Sequence, residues 1–315
     1  MPRCQPWRSG PRIGEDKRVR VLLVGSDGQV GTELRRTAPA SLEISAPDMD
    51  QLDLTQPAQI RAVTRDLRPE LILNAAAYTA VDRAEAEPVL ARVLNAEAPA
   101  LLAAEAARLG AGIIHYSTDY VYDGSKRDPW LESDAPGPLG VYGATKLAGD
   151  EAVLGSGARA VVLRTAWVYS AHGHNFLRTM LRLGREQERL RVVSDQIGNP
   201  TWARDLARAT WRVAANRLSP GGAFHGAGRG AVTWHGFAER IFALARQQPD
   251  SAALKVKEVE AIASSAWPTP ARRPANSTLD CTRLEREHGF RFPAWEESLA
   301  ACMAEMCGAA GGAAC

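Results

Sequence analysis

The sequence predicts an α/β fold, in which a doubly wound parallel sheet carries helices on both faces and a smaller α+β lobe packs beside it. Between residues 19 and 165, short apolar β-rich runs alternate with longer stretches of helical periodicity. A glycine-rich turn follows the first of these runs. After residue 165 the alternation becomes irregular, and loops rich in Gly, Pro and Trp separate the helical stretches. The regular part therefore favours the sheet, and the irregular part favours the second lobe.

Each element of the sheet has its own signal. Strands are predicted where a short apolar run ends at a glycine or a polar residue, at Val19–Val24, 42–46, 71–73, 112–117 and 160–163. Helices are predicted between them at 28–36, over the Ala-rich stretch 88–109, and at 139–154. In the second half we expect helices near 175–188, 201–217 and 234–247, and short strands at 190–194 and 257–259. An antiparallel or all-helical fold does not fit this order.

The chain divides into four segments by composition and pattern. Residues 1–18 are basic, contain Pro and Gly, and lack the apolar stretch of a secretory signal, so we expect a flexible N-terminal extension. Residues 19–165 form the sheet domain. Residues 166–307 form most of the second lobe, and a return of the chain to the sheet is left open. Residues 308–315, with the sequence GAAGGAAC, are expected to form a flexible tail.

Composition excludes several classes of protein. A chain with 45% hydrophobic and 23% charged residues has enough apolar surface to fold. The 38 basic and 36 acidic residues give a net charge of +2, which argues against a broad nucleic-acid-binding face. The five cysteines include no CxxC pair, and no apolar run approaches the roughly 18–20 residues of a membrane span. We expect a reduced, cytoplasmic protein without nucleic-acid or membrane partners.

The glycine-rich turn predicts a dinucleotide site. Gly25, Gly28 and Gly31 follow the first strand with GxxGxxG spacing and open the first helix. Glycines there allow a tight turn and let the backbone approach a pyrophosphate, while the helix N-terminus offers unpaired N–H groups. The alternative is a purely structural turn. The position of the turn, directly after the first strand of a doubly wound sheet, favours cofactor binding.

The choice between NADH and NADPH is not fixed by the sequence. An acidic residue after the second strand would bind a ribose 2′-hydroxyl. Three aspartates follow that strand, Asp48, Asp50 and Asp53. Asp53 is also a candidate for a place near the adenine. Arg35 and Arg36 could attract a 2′-phosphate, or they could be solvated charges on a helix face.

A second pattern predicts proton transfer. Tyr142 and Lys146 form YxxxK on a predicted helix, so both lie on one helical face. An ammonium near a phenol stabilises the phenolate and lowers its pKa, which lets tyrosine exchange a proton with a carbonyl oxygen. A hydroxyl at the carboxyl end of the fourth strand could orient that carbonyl; we choose Thr118, with Ser117 as the rival. The alternatives are an ordinary surface pair and a Ser/Thr turn.

These motifs together resemble a known family. The matching segments are GSDGQVG (25–31), NAAAYTAVDRAE (74–85), STDYVYDG (117–124), YGATKLAGD (142–150), LRTAWVYS (163–170), SDQIGNPTWARDLA (194–207) and PTPARRPANSTLD (268–280). The chain resembles the extended short-chain dehydrogenase/reductases, which are Rossmann-like, and within them the dTDP-4-dehydrorhamnose reductases, over about residues 19–299. The first and fourth segments are shared by many nucleotide-sugar enzymes, whereas NAAAYTAVD, DQIGNPT and TPARRPANS are more specific.

The resemblance implies an activity and a set of ligands. It implies NAD(P)H-dependent reduction of the C4 keto group of dTDP-4-dehydro-β-L-rhamnose to dTDP-L-rhamnose, for surface polysaccharide synthesis. NADPH is the expected cofactor, with NADH as the alternative. Some members are magnesium-bridged dimers; here Glu296 and Glu297 are the candidate acids, and both Mg²⁺ and the choice between monomer and homodimer stay open. The rival functions are a non-catalytic NADP-binding regulatory subunit and another nucleotide-sugar 4-ketoreductase or epimerase.

The resemblance also implies roles for individual residues. Catalysis falls to Tyr142, Lys146 and Thr118. The expected cofactor-binding residues are Gly25, Gly28, Gln29, Val30, Gly31, Asp53, Leu54, Ala76, Ala77, Tyr78, Tyr142 and Lys146. The expected substrate-binding residues are Thr118, Asp119, Trp167 and Asn175, with Trp167 packing its ring against the deoxysugar. Asn95 is expected to organise polar groups, and Phe176 and the arginines of ARRPANS could contact the nucleotide or diphosphate. No metal-binding residue is assigned.

Overall fold

A computed structural model describes residues 18–248 and 251–311. Residues 1–17 of the predicted extension and 312–315 of the predicted tail lie outside the described residues. Residues 308–311 belong to the last helix. Within the described ranges, no helix combines the length and the apolar character needed to cross a membrane.

Strands and helices alternate through the first half of the chain. The strands are β1 Val19–Val24, β2 Leu42–Ser45, β3 Leu71–Asn74, β4 Gly112–Thr118, β5 Arg159–Thr165, β6 Val168–Tyr169, β7 Arg189–Val193, β8 Ile197–Gly198, β9 Thr201–Trp202, β10 Gly222–His225, β11 Val232–Thr233 and β12 Glu258–Ile262. The helices are α1 Gln29–Arg36, α2 Pro57–Leu67, α3 Val81–Ala84, α4 Pro88–Arg92, α5 Ala98–Leu109, α6 Val141–Leu154, α7 Phe176–Glu186, α8 Ala203–Ala215, α9 Trp234–Ala245, α10 Thr282–His288 and α11 Trp295–Gly311.

The central sheet is parallel and has six strands in the order β10-β5-β4-β3-β1-β2. From β1 the chain moves outward to β2, then crosses back over β1 to β3 and continues in the other direction. The point where the direction changes lies between β1 and β3. Open α/β sheets bind ligands outside the carboxyl ends of the strands at this point.

Both faces of the sheet are covered, as the prediction of a doubly wound sheet requires. In β1, Val21 and Leu23 join a core cluster with α1 and α8, while Leu22 and Val24 join the cluster on the opposite face with α2 and α5. This alternation is the period of two that a strand buried on both sides shows. The predicted fold class is confirmed.

The second lobe has its own core. Helices α7, α9 and α11 pack together with the parallel pair β7 and β12 around Leu177, Phe237, Ile241 and Leu299. The chain returns to the main sheet between α8 and α9, because β10 pairs in parallel with β5.

Several elements differ from the sequence prediction, including the short helices α3 and α10 and the sheet strand β10, which were not predicted. The stretch predicted as one helix over 88–109 contains a π-helical turn, Val93–Glu97, between α4 and α5. Helix α2 was not predicted, and Ile60 and Thr64 are its only buried residues. Helix α11 was not predicted either, because its small residues, in AACMAEMCGAAG, give a weak amphipathic pattern.

Candidate active site

The glycine turn is shaped by close backbone contacts. Gly25 has φ of +79°, and a Cβ there would lie 2.6 Å from the backbone nitrogen of Ala76, in the loop after β3. A Cβ on Gly31 would lie 2.1 Å from the carbonyl oxygen of Gly25. Gly28 precedes α1 and has ordinary space for a Cβ, 3.4 Å from the same oxygen. Two of the three glycines are therefore needed for packing, and the third keeps the backbone at the start of α1 open.

This turn fits the pyrophosphate of a dinucleotide. Helix α1 begins at Gln29, and within the described chain no side chain caps its first turn. Its first N–H groups, including those of Val30 and Gly31, and the positive end of its dipole lie at the switch point between β1 and β3. An anion can bind there to backbone groups alone.

The loop after β3 forms the other wall of this crevice. It carries Ala76, Ala77 and Tyr78, and Asn95 holds it: the amide N–H of Tyr78 donates to Asn95 Oδ1 at 2.8 Å, and Asn95 Nδ2 donates to the Tyr78 carbonyl at 3.1 Å. Asn95 Nδ2 also lies 3.2 Å from the hydroxyl oxygen of Thr145 in α6. Asn95, which is fully buried, thus organises the loop as predicted and connects it to the helix of Tyr142.

The segment after β2 contains a turn that is held by hydrogen bonds to Asp53. Asp53 Oδ1 accepts hydrogen bonds of 2.8 Å from both the backbone and the hydroxyl of Thr55, and Leu54 packs partly buried on the core below. Their predicted cofactor contacts stay predictions. Arg36, one of the two arginines considered for a 2′-phosphate, forms ion pairs with Glu33 at 3.2 Å and with Glu305 at 2.7 Å. It is therefore already paired within the protein.

Tyr142 and Lys146 lie one turn apart at the start of α6. Lys146 is fully buried, and its Nζ donates to the carbonyl of Tyr116 at 2.6 Å and lies 3.2 Å from His115 Nε2. Burial lowers the pKa of Lys146 to about 8, against the raising effect of the Asp150 carboxylate. The ammonium is therefore the main form near neutral pH.

The pKa of Tyr142 differs from the sequence prediction. Burial raises it to about 12, and the nearby charges of Asp119 and Asp150 act in the same direction. The nearby Thr118 hydroxyl lowers it by a smaller amount. Burial outweighs the opposing effects here, and the predicted lowering of this pKa by Lys146 stays a prediction. The phenol keeps its proton at neutral pH.

The structure separates the two candidate hydroxyls at the end of β4. The Thr118 hydroxyl lies near the Tyr142 phenol and lowers its pKa, and it donates to Asp119 Oδ1 at 3.0 Å. The side chain of Ser117 points to the opposite face of the sheet, toward Asp150, and lowers the pKa of the Asp150 carboxyl. Burial raises the pKa of Asp119 to about 6, although the hydroxyls of Ser277 and Thr118 oppose that shift. Of the two candidate hydroxyls, that of Thr118 therefore lies beside the Tyr142 phenol, and it is hydrogen-bonded to Asp119.

The segment TPARRPANS closes one side of the site. A cleft beside Tyr142 is lined by Tyr120, Arg272 and Pro274. Arg273 donates to Asp82 Oδ2 at 2.8 Å and contacts the phenol of Tyr120, which meets the ring of Tyr142 edge-on at 5.8 Å. Sequence reasoning placed the arginines of this segment only loosely; the structure brings them close to Tyr142.

Trp167 does not present a free ring face. Its indole stacks on Trp234 with centroids 3.5 Å apart and planes 7° apart. A Cβ built on Gly198 would lie 2.4 to 2.7 Å from three atoms of the same ring, which places this backbone against an indole face as well. The prediction that a sugar packs on the ring face of Trp167 is therefore incompatible with this packing. Only an edge of the ring is left for a substrate.

Asn175 has a different role from the predicted one. Its Oδ1 accepts from the backbone N–H of Arg178 at 3.1 Å and caps α7, and its Nδ2 donates to Gln29 Oε1 at 2.9 Å and to the carbonyls of Ser170 and His172. Its polar atoms are used within the protein, so it supports the cofactor turn instead of facing a substrate. Phe176 packs on Trp234 with centroids 4.6 Å apart.

The acids considered for a metal do not form a site. Glu296 and Glu297 are exposed at the start of α11. Across residues 18–248 and 251–311, no group of three or more His, Cys, Asp or Glu side chains is arranged to hold a metal ion. Magnesium binding therefore gains no support from these residues.

Comparisons with known proteins show which family the chain resembles over nearly its whole length. A family model described as "RmlD substrate binding domain" matches residues 19–307. A dTDP-4-dehydrorhamnose reductase of Burkholderia thailandensis is 41% identical over 91% of this chain and 99% of its own length. One of Salmonella typhimurium is 42% identical over 91% and 98%. The crystal structure of a Bacillus anthracis dTDP-4-dehydrorhamnose reductase in complex with NADP superposes with a TM-score of 0.85 at 34% identity, over 92% of this chain and all of that one.

Proposed function

The chain belongs to the dTDP-4-dehydrorhamnose reductase family, and we propose that it reduces the C4 keto group of dTDP-4-dehydro-β-L-rhamnose with NADPH. The observation that carries the proposal is the grouping of three side chains: the Thr118 hydroxyl lies near enough to the Tyr142 phenol to lower its pKa, and the buried ammonium of Lys146 lies one helical turn from Tyr142. These three groups lie at the carboxyl edge of a doubly wound sheet beside a glycine turn suited to a dinucleotide.

NADPH, when bound, supplies the hydride for the C4 carbon of the sugar. Tyr142 then gives its proton to the C4 oxygen, and Thr118 orients that oxygen by a hydrogen bond. The raised pKa of Tyr142, about 12, suits this direction of reaction because the phenol is fully protonated at neutral pH. Once the proton has left, the charge of Lys146 stabilises the phenolate. We assign to Lys146 a second role as a donor to the nicotinamide ribose.

The residues that would hold NADPH line both walls of the crevice. Gly25, Gly28, Gln29, Val30 and Gly31 would bind the pyrophosphate through the start of α1. Ala76, Ala77 and Tyr78 would line the opposite wall, with Asp53 and Leu54 toward the adenine. The NADP in the Bacillus anthracis structure supports NADPH over NADH as the cofactor.

We place the reaction in the cytoplasm, with the product dTDP-L-rhamnose used for surface polysaccharide, and with the enzyme as a monomer or homodimer. Thr118, Asp119 and the edge of Trp167 would contact the sugar. The arginines of the segment 268–280 would contact the diphosphate, since their planar donors match phosphate oxygens.

The test is consumption of NADPH, followed by its near-ultraviolet absorbance, on mixing the purified protein with NADPH and dTDP-4-dehydrorhamnose. We expect a substrate-dependent fall, and parallel runs with NADH rank the two cofactors. Interconversion of nucleotide sugars without net loss of NADPH would instead identify an epimerase. Cofactor binding without any turnover would favour the non-catalytic regulatory subunit.

A further inference from the structure

Three fully buried polar side chains form a row beneath the catalytic helix. Asn74, His115 and Lys146 are 0%, 0% and 1% exposed. Asn74 ends β3 and is the direct neighbour of His115 on β4 in the parallel register, and Lys146 reaches them from α6. The proposed mechanism uses Lys146 alone, so the histidine in the middle of the row needs an explanation.

The three side chains are in hydrogen-bonding contact. His115 Nε2 lies 3.2 Å from Lys146 Nζ, and His115 Nδ1 lies 3.0 Å from Asn74 Nδ2. Both nitrogens of the imidazole are thus engaged. Among the residues that the structure describes, the ammonium has one other acceptor, the carbonyl of Tyr116 at 2.6 Å.

The hydrogen-bond donors and acceptors around His115 determine which of its two nitrogens carries the proton. An ammonium can only donate, so His115 Nε2 must accept, and the single proton of the neutral ring is on Nδ1. Asn74 must then present an acceptor to Nδ1, yet its Oδ1 is buried without a partner and its Nδ2 faces the ring. A rotation of the amide by half a turn exchanges the two atoms, and Oδ1 then accepts from Nδ1–H. In that arrangement both nitrogens of the imidazole have a suitable partner.

We propose, as a deepening of the proposed reductase function, that His115 is a positioning residue for Lys146: Asn74 fixes its Nδ1–H tautomer, and its Nε2 holds the ammonium. Burial and the charge of Lys146 both lower the pKa of His115 far below its usual value, which keeps the ring neutral. A neutral acceptor orients the ammonium without cancelling its charge. With two N–H groups directed to Tyr116 O and His115 Nε2, one remains for the phenolate or the cofactor.

The tautomer can be tested without any substrate. In the full chain labelled with ¹⁵N-histidine and free of ligand, nitrogen–proton correlation spectra distinguish the two neutral tautomers. The chain has six histidines, and the spectrum of His115→Gln identifies the signal that belongs to this one. We expect Nδ1 to be protonated and Nε2 to be bare at neutral pH. A ring protonated at Nε2, or at both nitrogens, overturns the proposal whatever the activity.

The positioning role is tested by kinetics. His115→Leu removes the acceptor and is expected to lower kcat at least about tenfold and to move the alkaline limb of its pH profile upward, because the phenolate is less stabilised. In His115→Gln the amide oxygen reaches the place of Nε2, and kcat is expected to stay within about threefold of the parent. In a Lys146→Met background, His115→Leu is expected to change kcat less than about twofold, since the two residues act as one unit.

The control is His288→Leu, which replaces another buried histidine, 1% exposed and packed edge-on against Phe224. We expect it to affect stability and to leave the pH profile unchanged. Additive losses in the double variant, or equal losses in the Leu and Gln variants, reject the role of His115. If the parent protein does not consume NADPH, the proposed function fails, whereas the tautomer measurement still decides the structural half of the inference.

Discussion

The ammonium of Lys146 donates a 2.6 Å hydrogen bond to the backbone carbonyl of Tyr116, and this contact fixes the start of α6 to the end of β4. The carbonyl carries no net charge, and the ion pair of the nearby Asp150 is made with Arg164, whose Nε lies 3.1 Å from Asp150 Oδ2. Burial removes the water that would hydrate the Lys146 ammonium. Hydrogen bonds to neutral partners replace that hydration only in part. The buried ammonium of Lys146 is thus costly for folding.

We expect Lys146→Met to change the pH dependence of stability. The folded-state pKa is about 8, below the ordinary value of 10.5, so the unfolded chain binds more protons between these values and the parent gains stability as pH rises through that window. Relative to Lys146→Met, the parent should gain about 2–3 kcal/mol between about pH 7 and about pH 10. Urea unfolding at both pH values measures this gain.

The control for that experiment is Lys257→Met, at a lysine that is 74% exposed. Its effect on the free energy of unfolding should be small and should vary little with pH. If the stability difference between the parent and Lys146→Met is the same at both pH values, the ammonium of Lys146 is not desolvated as described.

Tyr142→Phe should reduce kcat by about 10²–10⁴ while leaving NADPH affinity nearly unchanged, because the ring is kept and only the proton donor is lost. Absorbance of NADPH gives the rate, and quenching of tryptophan fluorescence gives cofactor binding. Tyr169→Phe is the matched control, since it removes a phenol oxygen from the buried core of the second lobe. Near-parental turnover by Tyr142→Phe would remove this residue from the mechanism.

The glycines of the cofactor turn should respond differently to alanine. Gly31→Ala places a methyl group 2.1 Å from the Gly25 carbonyl oxygen and should lower the free energy of unfolding by at least about 2 kcal/mol. Gly28→Ala meets that oxygen only at 3.4 Å and should fold like the parent but bind NADPH more weakly. Thermal unfolding and cofactor titration separate the two effects. Unchanged NADPH affinity in Gly28→Ala would argue against a pyrophosphate at this turn.

Asn175→Ala should cost about 1 kcal/mol through loss of the cap of α7, and it should also weaken NADPH binding because Gln29 loses its partner. Asn175→Asp keeps an oxygen for the Arg178 N–H and should restore most of the stability, but it removes the donor to Gln29. Denaturant unfolding and NADPH titration of both variants are compared with the parent. If both variants bind NADPH like the parent, the contact with Gln29 has no part in shaping the turn.

The fold and the placement of Tyr142 and Lys146 on one helix could be predicted because both depend on local periodicity. Apolar runs bounded by glycines, such as Val19–Val24, identify strands, and the spacing of Tyr142 and Lys146 places them on one helical face. The choice between Ser117 and Thr118 required the direction of each side chain at the end of β4. Every residue of β4 is buried, so its sequence does not show which side chains point to which face of the sheet.

The remaining features depend on contacts between distant segments. His115 stands among apolar residues of β4, and only the approach of α6 gives it a partner. Trp234, which covers Trp167, follows it by 67 positions in the sequence, so nothing local indicates that the ring face is taken. The capping role of Asn175 had a signal, since Asn before a helical stretch is a common N-cap, but the contact with Gln29 had none.

The parallel pairing of β10 with β5 has a consequence for synthesis of the protein. Until residues 222–225 have left the ribosome, one edge of β5 exposes unpaired backbone groups, although the five earlier strands are already available. A nascent chain paused in this interval presents a template for pairing with a neighbouring chain. The sheet therefore completes late, and the edge of β5 stays open to pairing from the emergence of β5 until that of β10.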